Sequence, residues 1–205
     1  MKKFIIACCC LIVLAAAGVY GYFGYGIRFL PVFGQPAEVS APFVQEGKTI
    51  YKTAPDGTRE PFEIKGVDLG AGQPGSFATD YAITKETYLR WFSQIQAMGA
   101  NTIRIYIVLG SDFYEAFYEY NKDNPDPLYL IHGVWLNDYA NNSHMSGFDR
   151  EYLDVFKEDV RTMLDVIHGQ RPIELGRLAG TGTYTKDISP WVIGFILGVE
   201  WEPPT

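Results

Sequence analysis

Thr102-Ile103-Arg104-Ile105-Tyr106-Ile107-Val108 is the stretch on which the fold turns. It is rich in β-branched residues and bounded by Gly99 and Gly110, a combination that predicts a strand. On its N-terminal side, Thr84 as N-cap, Glu86 in the first turn and Gly99 as the stop predict a helix. Tyr88, Leu89, Phe92 and Ile95 fall on one face of it. Before that helix, Ile64 to Leu69 reads as a first buried strand. It is entered through a β-hairpin turning at Pro55-Asp56-Gly57-Thr58, where Pro presets φ and Gly accepts positive φ.

On the C-terminal side, Asp112 to Tyr120 predicts a short helix closed by Asn124-Pro125-Asp126-Pro127, with Tyr114, Phe117 and Tyr118 as packing residues. Leu128 to Trp135 reads as a third strand. Asp149 caps a long helix that places Leu153, Phe156, Val160, Met163, Leu164 and Ile167 on one face. Trp191 to Val199 predicts a fourth strand, apolar along its whole length as strands covered on both faces are. Alternation of strand and helix predicts a parallel sheet with right-handed crossovers. An open doubly wound sheet and part of a closed barrel both satisfy that pattern. Gly70-Ala71-Gly72-Gln73-Pro74-Gly75 is no dinucleotide fingerprint, because Pro74 interrupts it and no helix follows at once.

Composition narrows the function classes. The chain has 205 residues, 47% hydrophobic and 20% charged, which is a globular balance. Its net charge is −7 and no Lys/Arg cluster stands out, so nucleic acid is not an expected partner. The 14 Tyr and 13 Phe fill cores, and exposed aromatics also make stacking platforms for sugar rings. Cys8, Cys9 and Cys10 are the three cysteines, so the folded part holds neither a disulfide nor a thiolate metal site. His132, His144 and His168 do not group at metal-ligand spacing, and neither a metal nor a cofactor is expected.

Lys2 and Lys3 precede an uncharged stretch from Phe4 to Ile27, about 24 residues, ended by Arg28. That length spans about 30 Å of hydrocarbon, and the lysines place the N-terminus inside. A retained transmembrane signal anchor over 1–28 is therefore expected. A signal peptide cleaved near Ala15-Ala16-Ala17 and a lipoprotein signal at Cys8 are the alternatives, and each exports the remainder. Residues 29–47, with Pro31, Pro36 and Pro42, read as a linker, and 48–205 as the folded domain.

In parallel α/β folds, ligands bind at the carboxyl ends of the strands. Those ends carry Asp68, Tyr106, His132, Trp135 and Glu200, with Trp201 next to the last. Glu200 ends an apolar strand, and desolvation there would raise its pKa toward that of a general acid; a solvated strand-end carboxylate is the other reading. Arg104 sits inside a buried strand and needs a carboxylate partner, near Glu200 or on a later strand, or else an edge ion pair. His132 reads either as a hydrogen-bonding group for a sugar hydroxyl or as a structural histidine. Asn141-Asn142-Ser143 is a glycosylation sequon of the kind that arises by chance.

Together, Met98-Gly99-Ala100-Asn101-Thr102-Ile103-Arg104-Ile105-Tyr106, Lys65-Gly66-Val67-Asp68, Ile131-His132-Gly133-Val134-Trp135 and Val192 to Trp201 resemble the first four strands of clan A glycoside hydrolases. The resemblance runs from about Lys48 to the end. It implies a (β/α)8 TIM barrel of which the first four β/α units are present, behind the hairpin and the N-terminal transmembrane helix. It implies Glu200 as acid/base and Arg104 as the Arg that orients the nucleophile; position at or next to the strand ends makes Asp68, Tyr106, His132, Trp135 and Trp201 the expected substrate-binding residues. The substrate implied is an extracellular or cell-wall polysaccharide or oligosaccharide, attacked by a retaining two-carboxylate mechanism. Val199 departs from the family's usual Asn before the acid/base, which leaves the substrate open. The family's nucleophile lies on a seventh strand, so the resemblance implies a longer enzyme and no hydrolysis by these 205 residues alone. A glucanosyltransferase-like transglycosidase and a non-catalytic, membrane-anchored carbohydrate-binding protein are the alternatives.

Overall fold

The computed structural model describes residues 2–25, 42–54, 56–135, 149–170, 172–173, 180 and 182–198. The chain divides into two units, Met1–Ala41 and Pro42–Thr205.

The first unit contains helix α1 (Lys2–Tyr25). Here the expected transmembrane helix is corrected: among the described residues, no helix is long and apolar enough to cross a membrane.

The second unit opens with β1 (Phe43–Glu46), β2 (Thr49–Thr53) and β3 (Arg59–Phe62), an antiparallel sheet in that order. Phe43–Glu46 therefore belongs to the folded unit and not to a linker. Between β2 and β3, Gly57 adopts φ 84° and its N–H donates to the Ala54 carbonyl at 2.9 Å, while Thr58 N–H donates to the Asp56 carboxylate. These are the contacts of a tight turn.

A parallel sheet follows, built from β4 (Gly66–Asp68), β5 (Thr102–Ile105), β6 (Tyr129–Val134) and β9 (Val192–Leu197) in the order β4-β5-β6-β9. Helix α2 (Lys85–Ala97) joins β4 to β5, and α3 (Ser111–Asn121) joins β5 to β6. Helix α4 (Arg150–Ile167) and the two-stranded pair β7 (Pro172–Ile173) and β8 (Gly182–Thr183) lie between β6 and β9 in sequence. The expected half of a TIM barrel behind a membrane helix is thus corrected to a mixed α/β fold. Among the described residues it has one parallel four-stranded sheet, two antiparallel sheets and four α-helices. Among the described residues β4 and β9 are the outer strands of the parallel sheet.

The core forms where the pleat turns Ile103, Ile105 and Leu130 toward the apolar stripes of α2 and α3. Phe92, fully buried, meets Phe113 and Phe117 edge-to-face at 5.7 Å and Tyr120 at 5.8 Å. Aromatic pairs at such angles bring their quadrupoles into register beyond simple burial. Tyr129 forms a second cluster with Phe43 and Phe62, at ring distances of 5.0 and 5.1 Å, and this ties the antiparallel sheet to the parallel one.

Two predicted faces shift. On α4 the buried residues are Tyr152, Thr162, Met163, Val166 and Ile167, and Leu164 is exposed. On β9, expected to be covered on both faces, Phe195 and Leu197 are 46% and 53% exposed.

Candidate functional site

Register brings the site together. In the parallel pairing of β4 with β5, Asp68 is the partner of Arg104, and Leu69 N–H donates to the Arg104 carbonyl at 2.9 Å just beyond. Arg104 and Tyr106 are two residues apart, so the pleat sends them to the same face. Arg104 Nη1 lies 3.3 Å from Asp68 Oδ2, and the Tyr106 hydroxyl donates to the same oxygen at 2.8 Å. The Arg104 guanidinium carbon stands 4.4 Å from the Tyr106 ring centroid, within cation–π range. Trp135, the first residue after β6, meets Tyr106 edge-on at 6.1 Å.

Among the described residues, the carboxylate that Arg104 meets is Asp68, on the neighbouring strand. With the two side chains 29% and 53% exposed, water weakens the pair, and its worth lies in orientation more than stability. Arg104 Nε is buried and has no hydrogen-bond partner among the described residues. A buried N–H left unpaired costs free energy, so this donor marks a place for a further acceptor.

Gly133 fixes the height of Tyr106. A Cβ at Gly133 would lie 2.7 Å from the Tyr106 carbonyl oxygen and 2.9 Å from that of Ile105. Only glycine lets β6 approach the end of β5 this closely.

His132 is placed differently from the expectation that it binds substrate. It is fully buried beneath the sheet. Its Nδ1–H donates to the Gly133 carbonyl at 2.9 Å, so Nε2 is the acceptor for the Tyr114 hydroxyl at 2.7 Å. Burial lowers its pKa to about 4, so the ring is neutral at physiological pH. With no exposed ring atom and both nitrogens engaged, His132 is a positioning residue for β6 and α3.

Sequence reading also missed the segment that braces the β5–α3 connection. Gly180 N–H donates to the Val108 carbonyl at 2.8 Å. The buried Tyr184 hydroxyl lies 2.8 Å from the Leu109 carbonyl and 2.9 Å from that of Gly180. A Cβ at Gly180 would fall 2.2 Å from Gly110 N, which explains the glycine. The run of Gly and Thr around it was the one available signal, and it resembles an ordinary loop.

Glu200 and Trp201 lie outside the described residues, as do Val199, His144 and the Asn141-Asn142-Ser143 sequon. The last described contact toward Glu200 is Gly198, whose φ of 80° ends β9 and whose N–H donates to the Val134 carbonyl at 3.0 Å. Among the described residues, no group of three or more His, Cys, Asp or Glu is placed to hold a metal ion.

Compared with known protein families, characterised proteins and solved structures, the chain matches none.

Proposed function

We propose that this protein binds glycan chains at the carboxyl edge of its parallel sheet and belongs to a retaining glycoside hydrolase. The observation that carries the reading is the joining of Asp68, Arg104, Tyr106 and Trp135 in one polar, aromatic-lined cluster. A carboxylate fixed by a guanidinium and a phenol is a preorganised acceptor for sugar hydroxyls, and half-buried Trp135 offers an aromatic surface for the ring.

In this reading Glu200, beyond the end of β9, is the acid/base, and Trp201 joins Trp135 in binding the sugar. Arg104 holds the site's carboxylates in place, and the unpartnered Nε is the donor that would do so for a second one. Retention of configuration requires two carboxylates about 5 Å apart. Asp68 is engaged by Arg104 and Tyr106, which suits it to binding better than to attack. Transfer to a second sugar uses the same two groups, with a hydroxyl in place of water. Lys2, Lys3 and the apolar run to Val19 support export, with release after the small residues Ala15-Ala16-Ala17.

Calorimetric titration with β-glucan and xylan oligosaccharides tests the binding site. Wild-type protein is expected to bind at least one series, and Trp135→Ala and Asp68→Ala are each expected to weaken it roughly tenfold, the size of one good contact. Equal affinity in all three proteins would contradict the site. Glu200→Gln is expected to abolish turnover by the complete enzyme while leaving glycan binding in place. Full turnover in that variant would remove Glu200 from the mechanism.

A further inference from the structure

The connection between β4 and α2 leaves the sheet immediately after Asp68 and carries an aromatic side chain that the site has not yet used. Its two shoulders are sunk in the core, with Ala71 7% and Ile83 3% exposed. Between them stands Phe77, 80% exposed, the most exposed large apolar side chain among the described residues. Leaving a Phe in water forgoes the stabilisation that its burial would bring.

The loop that presents it is well tied. Phe77 N–H donates to the Asp80 carboxylate at 2.9 Å, and Asp80 N–H returns to the Phe77 carbonyl at 3.0 Å. Ser76 N–H donates to the Gln73 carbonyl, and the Gln73 side-chain amide donates to the Ala82 carbonyl, both at 3.1 Å. Tyr81 has φ 46°, a left-handed conformation unusual for a bulky residue, and strain of this kind gathers at functional sites.

An aromatic ring held out on an ordered loop, at the edge of the sheet where ligands bind, acts as a platform. Its neighbours choose the occupant. Gly75, Ser76, Ala78, Thr79 and Asp80, its neighbours along the loop, are all small or polar. They supply small and polar groups around one ring, which is what the C–H face of a pyranose with hydroxyls at its rim requires.

We infer that Phe77 is an outer stacking platform for a glycan chain that extends from the Asp68–Arg104–Tyr106–Trp135 cluster over the β4–α2 loop. The inference rests on the glycan-binding reading above and makes the preferred ligand a longer chain over a short one.

Titrating the full chain with a ladder of cello-, laminari- and xylo-oligosaccharides, from disaccharide to hexasaccharide, tests it in wild type, Phe77→Ala, Phe77→Trp and Trp135→Ala. In wild type, affinity rises with length. Phe77→Ala loses roughly tenfold on the longest ligand and leaves the shortest bound ligand unchanged; Phe77→Trp retains the gain with length. Trp135→Ala weakens every length. A length dependence unchanged in Phe77→Ala overturns the platform alone. Absence of wild-type binding at any length overturns the glycan-binding reading itself.

Discussion

His132 shows how one residue's surroundings decide its role. A histidine near a strand end beside Gly133 and Trp135 reads equally well as a sugar ligand or as a structural group. The structure resolves this through Tyr114, eighteen positions away, which takes the Nε2 lone pair inside the core. The consequence is a pH dependence. The folded-state pKa is about 4, against an ordinary 6.5. Because the unfolded chain binds the proton more readily, the stability due to neutral His132 is complete above about pH 6.5 and is lost as pH falls toward 4. The loss is about 3 kcal/mol across that window. Urea denaturation at a series of pH values is expected to show this slope in wild type and a flatter one in His132→Gln; equal slopes would contradict the assignment. Asp68, Arg104, Tyr106 and Trp135 were legible as residues, because each sits at or beside a strand end. Their partnership was not, because it depends on the β4–β5 register, and residue types alone do not fix the register of parallel strands.

At the scale of elements, close approach decides what periodicity cannot. The strands β5 and β6 were readable from their β-branched and apolar runs, and α2 from its cap, its stripe and the glycine that ends it. The predicted face of α4 holds at Phe156, Val160, Met163 and Ile167, and Leu164 falls outside it, because packing and not apolarity chooses between the adjacent Met163 and Leu164. Gly133 is a case where the residue is explained by its neighbour strand. Gly133→Ala is expected to destabilise the fold by about 1–3 kcal/mol, the usual cost of overpacking, by pressing on the Ile105 and Tyr106 carbonyls. It is also expected to weaken glycan binding, because Tyr106 moves with its backbone. Thermal unfolding and calorimetry on the same variant check both, and wild-type values in the two assays would contradict the positioning role.

At the scale of the whole molecule, alternation of strand and helix carried the parallel pairing of the sheet, but not its sequential order, which a doubly wound sheet does not share. The cover on β9 was not legible: an apolar strand reads the same whether its faces are covered or exposed, and Phe195 and Leu197 are exposed. The central claim is that the carboxyl edge of the parallel sheet, and no other surface, receives a glycan. It is tested most directly by adding the best-binding oligosaccharide to isotopically labelled protein and following amide and indole resonances. The expected shifts fall on Leu69, Tyr106, Ile107 and the Trp135 indole, with the Trp191 indole, packed against Phe117 and Tyr118, unchanged. Shifts confined to other surfaces, with Trp135 and Tyr106 unmoved at saturation, would contradict it.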